Sequence, residues 1–123
     1  MCRDRDTTPL LIARYRALRE LKTGKAKPTE VALLHALGRI GDPSAQLVLL
    51  EALQDKDEQL RRAAALALGD LGDRSVMKPL ITALEQDNDE QTRGFAAISL
   101  GRIGGEAARD ALHAALPTKA RAR

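Results

Sequence analysis

The acidic run DNDE, residues 87–90, begins as a calcium-binding loop does, with oxygen ligands at alternate positions. It lacks the glycine such a loop needs at its sixth position and the glutamate at its twelfth. Its counterpart DKDE, 55–58, precedes a similar apolar pattern, and carboxylates there serve to cap the start of a helix. Nucleophilic chemistry fares no better. The two histidines, His35 and His113, lie far apart along the chain, and Ser44, Ser75 and Ser99 fall at helix starts or small packing positions. Cys2 has no positioned base near it in sequence and reads as inert. The run GRIGG at 101–105 lacks both the preceding strand and the lysine of a phosphate-binding loop. The reading therefore assigns no catalytic residue, no cofactor and no metal ligand.

The residues that could position something are more informative. One short phrase occurs three times, as LGRIG at 37–41, LGDLG at 68–72 and LGRIG at 100–104, at intervals of 31 and 32 residues. Aligned, the segments are EVALLHALGRIGD (30–42), RRAAALALGDLGD (61–73) and RGFAAISLGRIGG (93–105). Each is followed by a second helical pattern: PSAQLVLLEAL (43–53), RSVMKPLITAL (74–84) and EAARDALHAAL (106–116). Apolar residues recur three and four positions apart, as amphipathic helices require. Repetition at this period is the signature of stacked helix pairs, because one pair cannot bury its apolar face alone.

Composition agrees. Ala and Leu dominate the apolar set, 30% of residues are charged, and there are one Tyr, one Phe and no Trp. That bias predicts an all-α chain. No apolar run approaches the about 20 residues that span a membrane. The start, MCRDRDTT, has no apolar signal region, and the single cysteine excludes an internal disulfide. A cytoplasmic location is the expectation. Residues 1–30 carry a net charge of +4, 31–116 of −4 and 117–123 of +3, so the ends are basic and the body is not. A protein that grips phosphate shows its basic face on the folded part.

Gly72 sits where a helix ends in a left-handed residue, and Asp42 and Asp73 are the N-caps of the helices that follow. Gly38, Gly69 and Gly101 fall inside helices, where each gives up about 1 kcal/mol of propensity so that a neighbouring helix can approach. The phrase DKDEQLRRAAALALGDLGDRSVMKPLITAL, from Asp55 to Leu84, resembles the HEAT-like repeats first grouped with phycobilisome lyases, including Pro79 inside the second helix. The resemblance covers about residues 7–117. It implies a short right-handed α-solenoid of three helix pairs plus a C-terminal capping helix. The first helix of each pair would be convex and the second concave, with predicted helices at 9–22, 28–40, 43–54, 59–71, 74–86, 90–103 and 106–116. The domain reading is a flexible 1–6, repeats at about 7–41, 42–72 and 73–104, a cap at 105–117 and a disordered tail at 118–123. Met77 and Ile81 become Arg109 and His113 in the last helix, so the pattern predicts that stacking ends there.

The resemblance further implies a ladder in which an aspartate six residues before an arginine ties adjacent repeats: Asp55 with Arg61, and Asp87 with Arg93. Gly24 and Glu30 occupy those places in the first copy, where the ladder should be missing. On the concave helices the positions pointing away from the stack align as Val31, Ala32, His35, Arg39; Arg62, Ala63, Leu66, Asp70; and Gly94, Phe95, Ile98, Arg102. Val31, Leu66, Phe95 and Ile98 would form an apolar strip, rimmed by Arg39, Arg62, Asp70 and Arg102, for another protein to bind. Phe95 has a competing reading, as a core filler beside Ala108 and Ala111.

The predicted function is a non-catalytic interaction scaffold, with self-association through the groove left open. Two alternatives follow from the resemblance: a phycobilin-lyase-like or regulatory subunit of an enzyme complex, and a HEAT-like nucleic-acid binder. Tyr15 and Phe95 are too few and too separated for a bilin pocket, and Asp70 interrupts the arginines that would hold a nucleic acid.

Overall fold

The computed structural model describes residues 7–21 and 28–114. The expected loose N-terminus (1–6), Gly24 and the tail beyond 114 lie outside the described residues. Among the described residues seven helices run in order: α1 (Thr7–Glu20), α2 (Pro28–Ile40), α3 (Gln46–Leu53), α4 (Glu58–Leu71), α5 (Met77–Gln86), α6 (Glu90–Ile103) and α7 (Glu106–Ala114). There is no strand among the described residues. Single 3-10 turns at Pro43–Ala45 and Arg74–Val76 lead into α3 and α5, so the two predicted helices there begin with a tighter turn. Asp42 and Asp73 cap these turns, accepting from the N–H of Ser44 and Ser75 at 3.0 and 2.9 Å. Both acidic runs are caps as well. Asp57 accepts from the Gln59 N–H at 2.8 Å at the start of α4, and Asp89 from the Thr92 N–H at 2.9 Å at the start of α6.

The helices form an α-solenoid in which α2, α4 and α6 pack side by side as one row, each also packed on the helix of its own pair, α1, α3 or α5. Leu34 and Leu37 of α2, Val48 and Leu49 of α3, Leu60 and Leu68 of α4, Leu80 of α5 and Leu100 of α6 are fully buried between the rows. Each such side chain contributes about 1.5–3 kcal/mol of apolar burial.

The row is held close by glycine. A Cβ on Gly38 would lie 2.6 Å from the Ala67 carbonyl oxygen, and one on Gly69 would lie 2.6 Å from the Ser99 Cβ and meet its hydroxyl. Ser99 uses that hydroxyl to donate to the Ala65 carbonyl across the same junction. Gly101 differs from the expectation: nothing lies within 4 Å of its Cβ position, because no described helix packs beyond α6 in the row. Gly72 ends α4 in the left-handed region at φ 76°, where the sequence places a cap. On α7, Arg109 and His113 are exposed, whereas Met77 and Ile81 at the matching positions of α5 pack against the core.

The ladder is built differently from the pairing the resemblance implies. Arg61 and Arg93 do reach back six residues, but to the backbone carbonyls of Asp55 and Asp87, at 2.9 and 2.7 Å. The aspartate carboxylates look one repeat back instead. Asp87 takes Arg61 Nε at 3.0 Å, which is the link between repeats. Asp55 takes Arg19 Nη2 at 3.1 Å, and Arg19 Nη1 also binds Glu30 at 2.8 Å. The first junction thus has its ion link after all, through a cation from α1. Glu30, at the arginine position of the repeat, is 1% exposed. Beside this cluster, burial pushes the Tyr15 phenol up to about 12 despite the nearby Arg19 guanidinium.

Candidate functional site

The solvent side of the α2, α4, α6 row, here the inner row, carries a groove of about 240 Å³, lined by Val31 and His35 from α2, Gln59, Arg62, Ala63 and Leu66 from α4, and Phe95 from α6. Three adjacent helices therefore contribute to one depression. Val31, His35, Arg62, Leu66 and Phe95, five of the residues assigned to a binding face, meet here.

Val31 and Phe95 are half-buried and pack against the core, so the apolar strip is less open than its sequence suggests. Phe95 lines the groove and also packs against the core cluster. Leu66 is half-buried at the groove and stands outside the core cluster. Ile98 is 51% exposed and does not line the groove. Gln59 was missed by the sequence reading, although it lies one turn before Arg62 and two before Leu66 on the same face of α4, a periodicity that could have found it.

The rim charges are mostly committed to one another. Arg62 donates through Nε and Nη2 to both oxygens of Asp89, at 2.8 and 2.9 Å, a bidentate clamp. Asp89 also accepts the Thr92 hydroxyl at 2.7 Å, and these donors, Arg62 above all, hold its carboxyl well below the usual carboxylate range. Arg102 pairs with Asp70 at 2.6 Å across α4 and α6. Arg39 is exposed, with no described carboxylate within ion-pair distance. Arg62, which lines the groove, is also the brace between α4 and the start of α6. Two of the three arginines that could hold a phosphate backbone are thus neutralised within the fold.

Larger grooves open between the outer helices: about 460 Å³ between α3 and α5, around Pro79 and Lys78, and about 330 Å³ between α1 and α3, around Tyr15 and Arg16. The second is crossed by the Arg16–Glu51 and Arg19–Asp55 pairs, at 3.0 and 3.1 Å. The α1–α3 groove is walled mainly by charged side chains and the α3–α5 groove by a mixture that includes Leu53, Pro79 and Ala83, whereas the inner groove presents Val31, Leu66 and Phe95. Among the described residues no group of three His, Cys, Asp or Glu could hold a metal ion, and no helix is long and apolar enough to cross a membrane.

A family model described as HEAT repeats matches residues 16–93 and 48–123. No curated protein matches the chain.

Proposed function

From the premise that the chain belongs to the HEAT-repeat family, we propose that it is a non-catalytic adaptor that binds another protein in the groove of its inner helix row. HEAT repeats commonly mediate protein–protein interaction, and the family is typically non-catalytic. The observation that carries the reading is the groove itself. Apolar side chains from three helices line it together, and two of its three rim arginines, Arg62 and Arg102, are satisfied by the fold, so seating a partner does not first require breaking ion pairs. The working place is the cytoplasm, in keeping with a single cysteine. The subtype first grouped with phycobilisome lyases rests on the Asp55–Leu84 phrase.

Affinity capture from extracts of the source organism, repeated with Leu66→Glu, tests the reading. Leu66 borders the groove without belonging to the core, so the variant should keep its helicity and lose the captured protein. Phe95→Ala should weaken binding by about 2 kcal/mol. Capture unaffected by either change, in folded variants, would end the proposal.

A further inference from the structure

Resting on that reading, we propose that the occupant is an acidic amphipathic helix that seats one apolar side chain among Val31, Leu66 and Phe95 and sets a carboxylate against Arg39. Size limits the choice first. A groove of about 240 Å³ falls below the roughly 300–1,000 Å³ of small-molecule and cofactor sites, and suits the tip of a single side chain.

Backbone chemistry limits it next. The inner row consists of helices whose interior N–H and C=O groups are paired along their own axes, so it offers no strand edge to an extended peptide. A helix brings its backbone already paired, and its side chains alone make the contact.

Charge then selects the sign. Arg62 is clamped by Asp89 and Arg102 by Asp70, leaving Arg39 as the cation of this face with no described carboxylate beside it. Arg39 lies one turn beyond His35 on α2, and His35 is in the groove wall. Residues four apart on a helix stand about 5–6 Å from each other at Cβ. A carboxylate one or two turns from the apolar anchor therefore reaches Arg39. A basic helix would find Asp70 and Asp89, the carboxylates beside the rim arginines, already held and would meet Arg39 as a repulsion.

Two fluorescent helical peptides test this. They share one leucine stripe at positions i, i+3, i+4 and i+7 and carry either Glu or Lys on the remaining face. In anisotropy titrations at low salt the Glu peptide should bind about ten-fold tighter than the Lys peptide or better. Arg39→Glu, at an exposed position that does not endanger folding, should erase or invert the preference. Leu66→Glu should weaken both peptides, with Val31→Glu as a second groove variant should the first lose its helicity. Equal binding of the two peptides, a Lys preference, or a Glu preference that survives Arg39→Glu overturns the proposal. If the peptides bind equally and both depend on Leu66, the charge inference falls and the groove remains. Binding that ignores Leu66 and Val31 removes the groove and this inference with it, as does no binding at all. A dimer of the chain alone that Leu66→Glu dissolves would make a second copy the occupant and overturn the proposal equally.

Discussion

The two junctions along the inner row solve one steric problem identically and one electrostatic problem in opposite ways. At the α2–α4 junction Gly38 meets Ala67, and at the α4–α6 junction Gly69 meets Ser99, so each pair of backbones closes over a glycine and a small residue. The ion links differ. At the second junction the cation belongs to the inner row, Arg61, and the acid, Asp87, to the loop before the next inner helix. At the first, the matching inner position is the acid Glu30, and Arg19 crosses from the outer helix α1 to hold both Glu30 and Asp55. Close approach of two backbones leaves glycine no substitute. A buried charge asks only for a counter-charge in reach, and the chain can supply it from another element.

Removing each cation should expose the difference most strongly. Arg19→Met takes the guanidinium from a carboxylate that is 1% exposed and from Asp55 as well. Two carboxylates lose a charged donor together, so the expected loss is about 2–3 kcal/mol. Arg61→Met removes one charged donor from Asp87, which still accepts from the Asp89 N–H at 2.9 Å, and should cost about 1–2 kcal/mol. Urea unfolding of the two variants makes the comparison. Arg19→Met with Glu30→Met should recover most of the first loss, since an apolar pair of similar volume replaces a buried ion pair at little cost. Equal losses for the two single variants would mean that Glu30 is not the weak point the geometry makes it.

The glycines give the next largest contrast. An alanine Cβ at position 38 would press on the Ala67 carbonyl oxygen at 2.6 Å and on its Cα at 2.8 Å, both backbone atoms that cannot swing aside. Gly38→Ala should destabilise by about 1–3 kcal/mol. At Gly101 the space is open, and Gly101→Ala should stabilise α6 by about 0.5–1 kcal/mol through helix propensity alone. Melting temperatures moving in opposite directions would support the packing account; a loss at both positions would show that Gly101 also has a close neighbour.

Those three glycines also mark what the sequence can and cannot disclose. The repeated phrase makes the stacking, the caps at Asp57 and Asp89 and the tight contacts at Gly38 and Gly69 legible, because each follows from spacing within one repeat. It makes Gly101 look the same, since self-similarity does not tell which helix lacks a neighbour. Glu30 was visible as a departure from the pattern. Its remedy was not, because Arg19 lies in the outer row, outside the aligned phrase. The groove was half legible for a related reason. Periodicity puts Val31, His35, Leu66 and Phe95 on one surface, but only the spatial offset of one repeat brings Asp89 to Arg62 and turns an apparent rim charge into a brace.

That brace yields the smallest expected effect, and it belongs to the second junction alone: Val31 stands in the first repeat where Arg62 stands in the second. Asp89 is held ionised by Arg62 and by Thr92, so its folded-state value lies below that of an unfolded-chain aspartate, about 3.9. A depressed carboxylate stabilises the fold at all pH above the unfolded value, and the contribution is lost as pH falls toward the folded one. Wild type should therefore exceed Asp89→Asn in urea midpoint by a constant margin from neutral pH down to about 5, and the margin should shrink below about pH 4. The pair sits near solvent, which screens it, so the margin should be smaller than either loss above. A margin that stays constant through pH 3 would mean that Asp89 acts as a neutral hydrogen-bond cap for α6, and the second junction would then rest on Arg61 and Gly69 without the clamp.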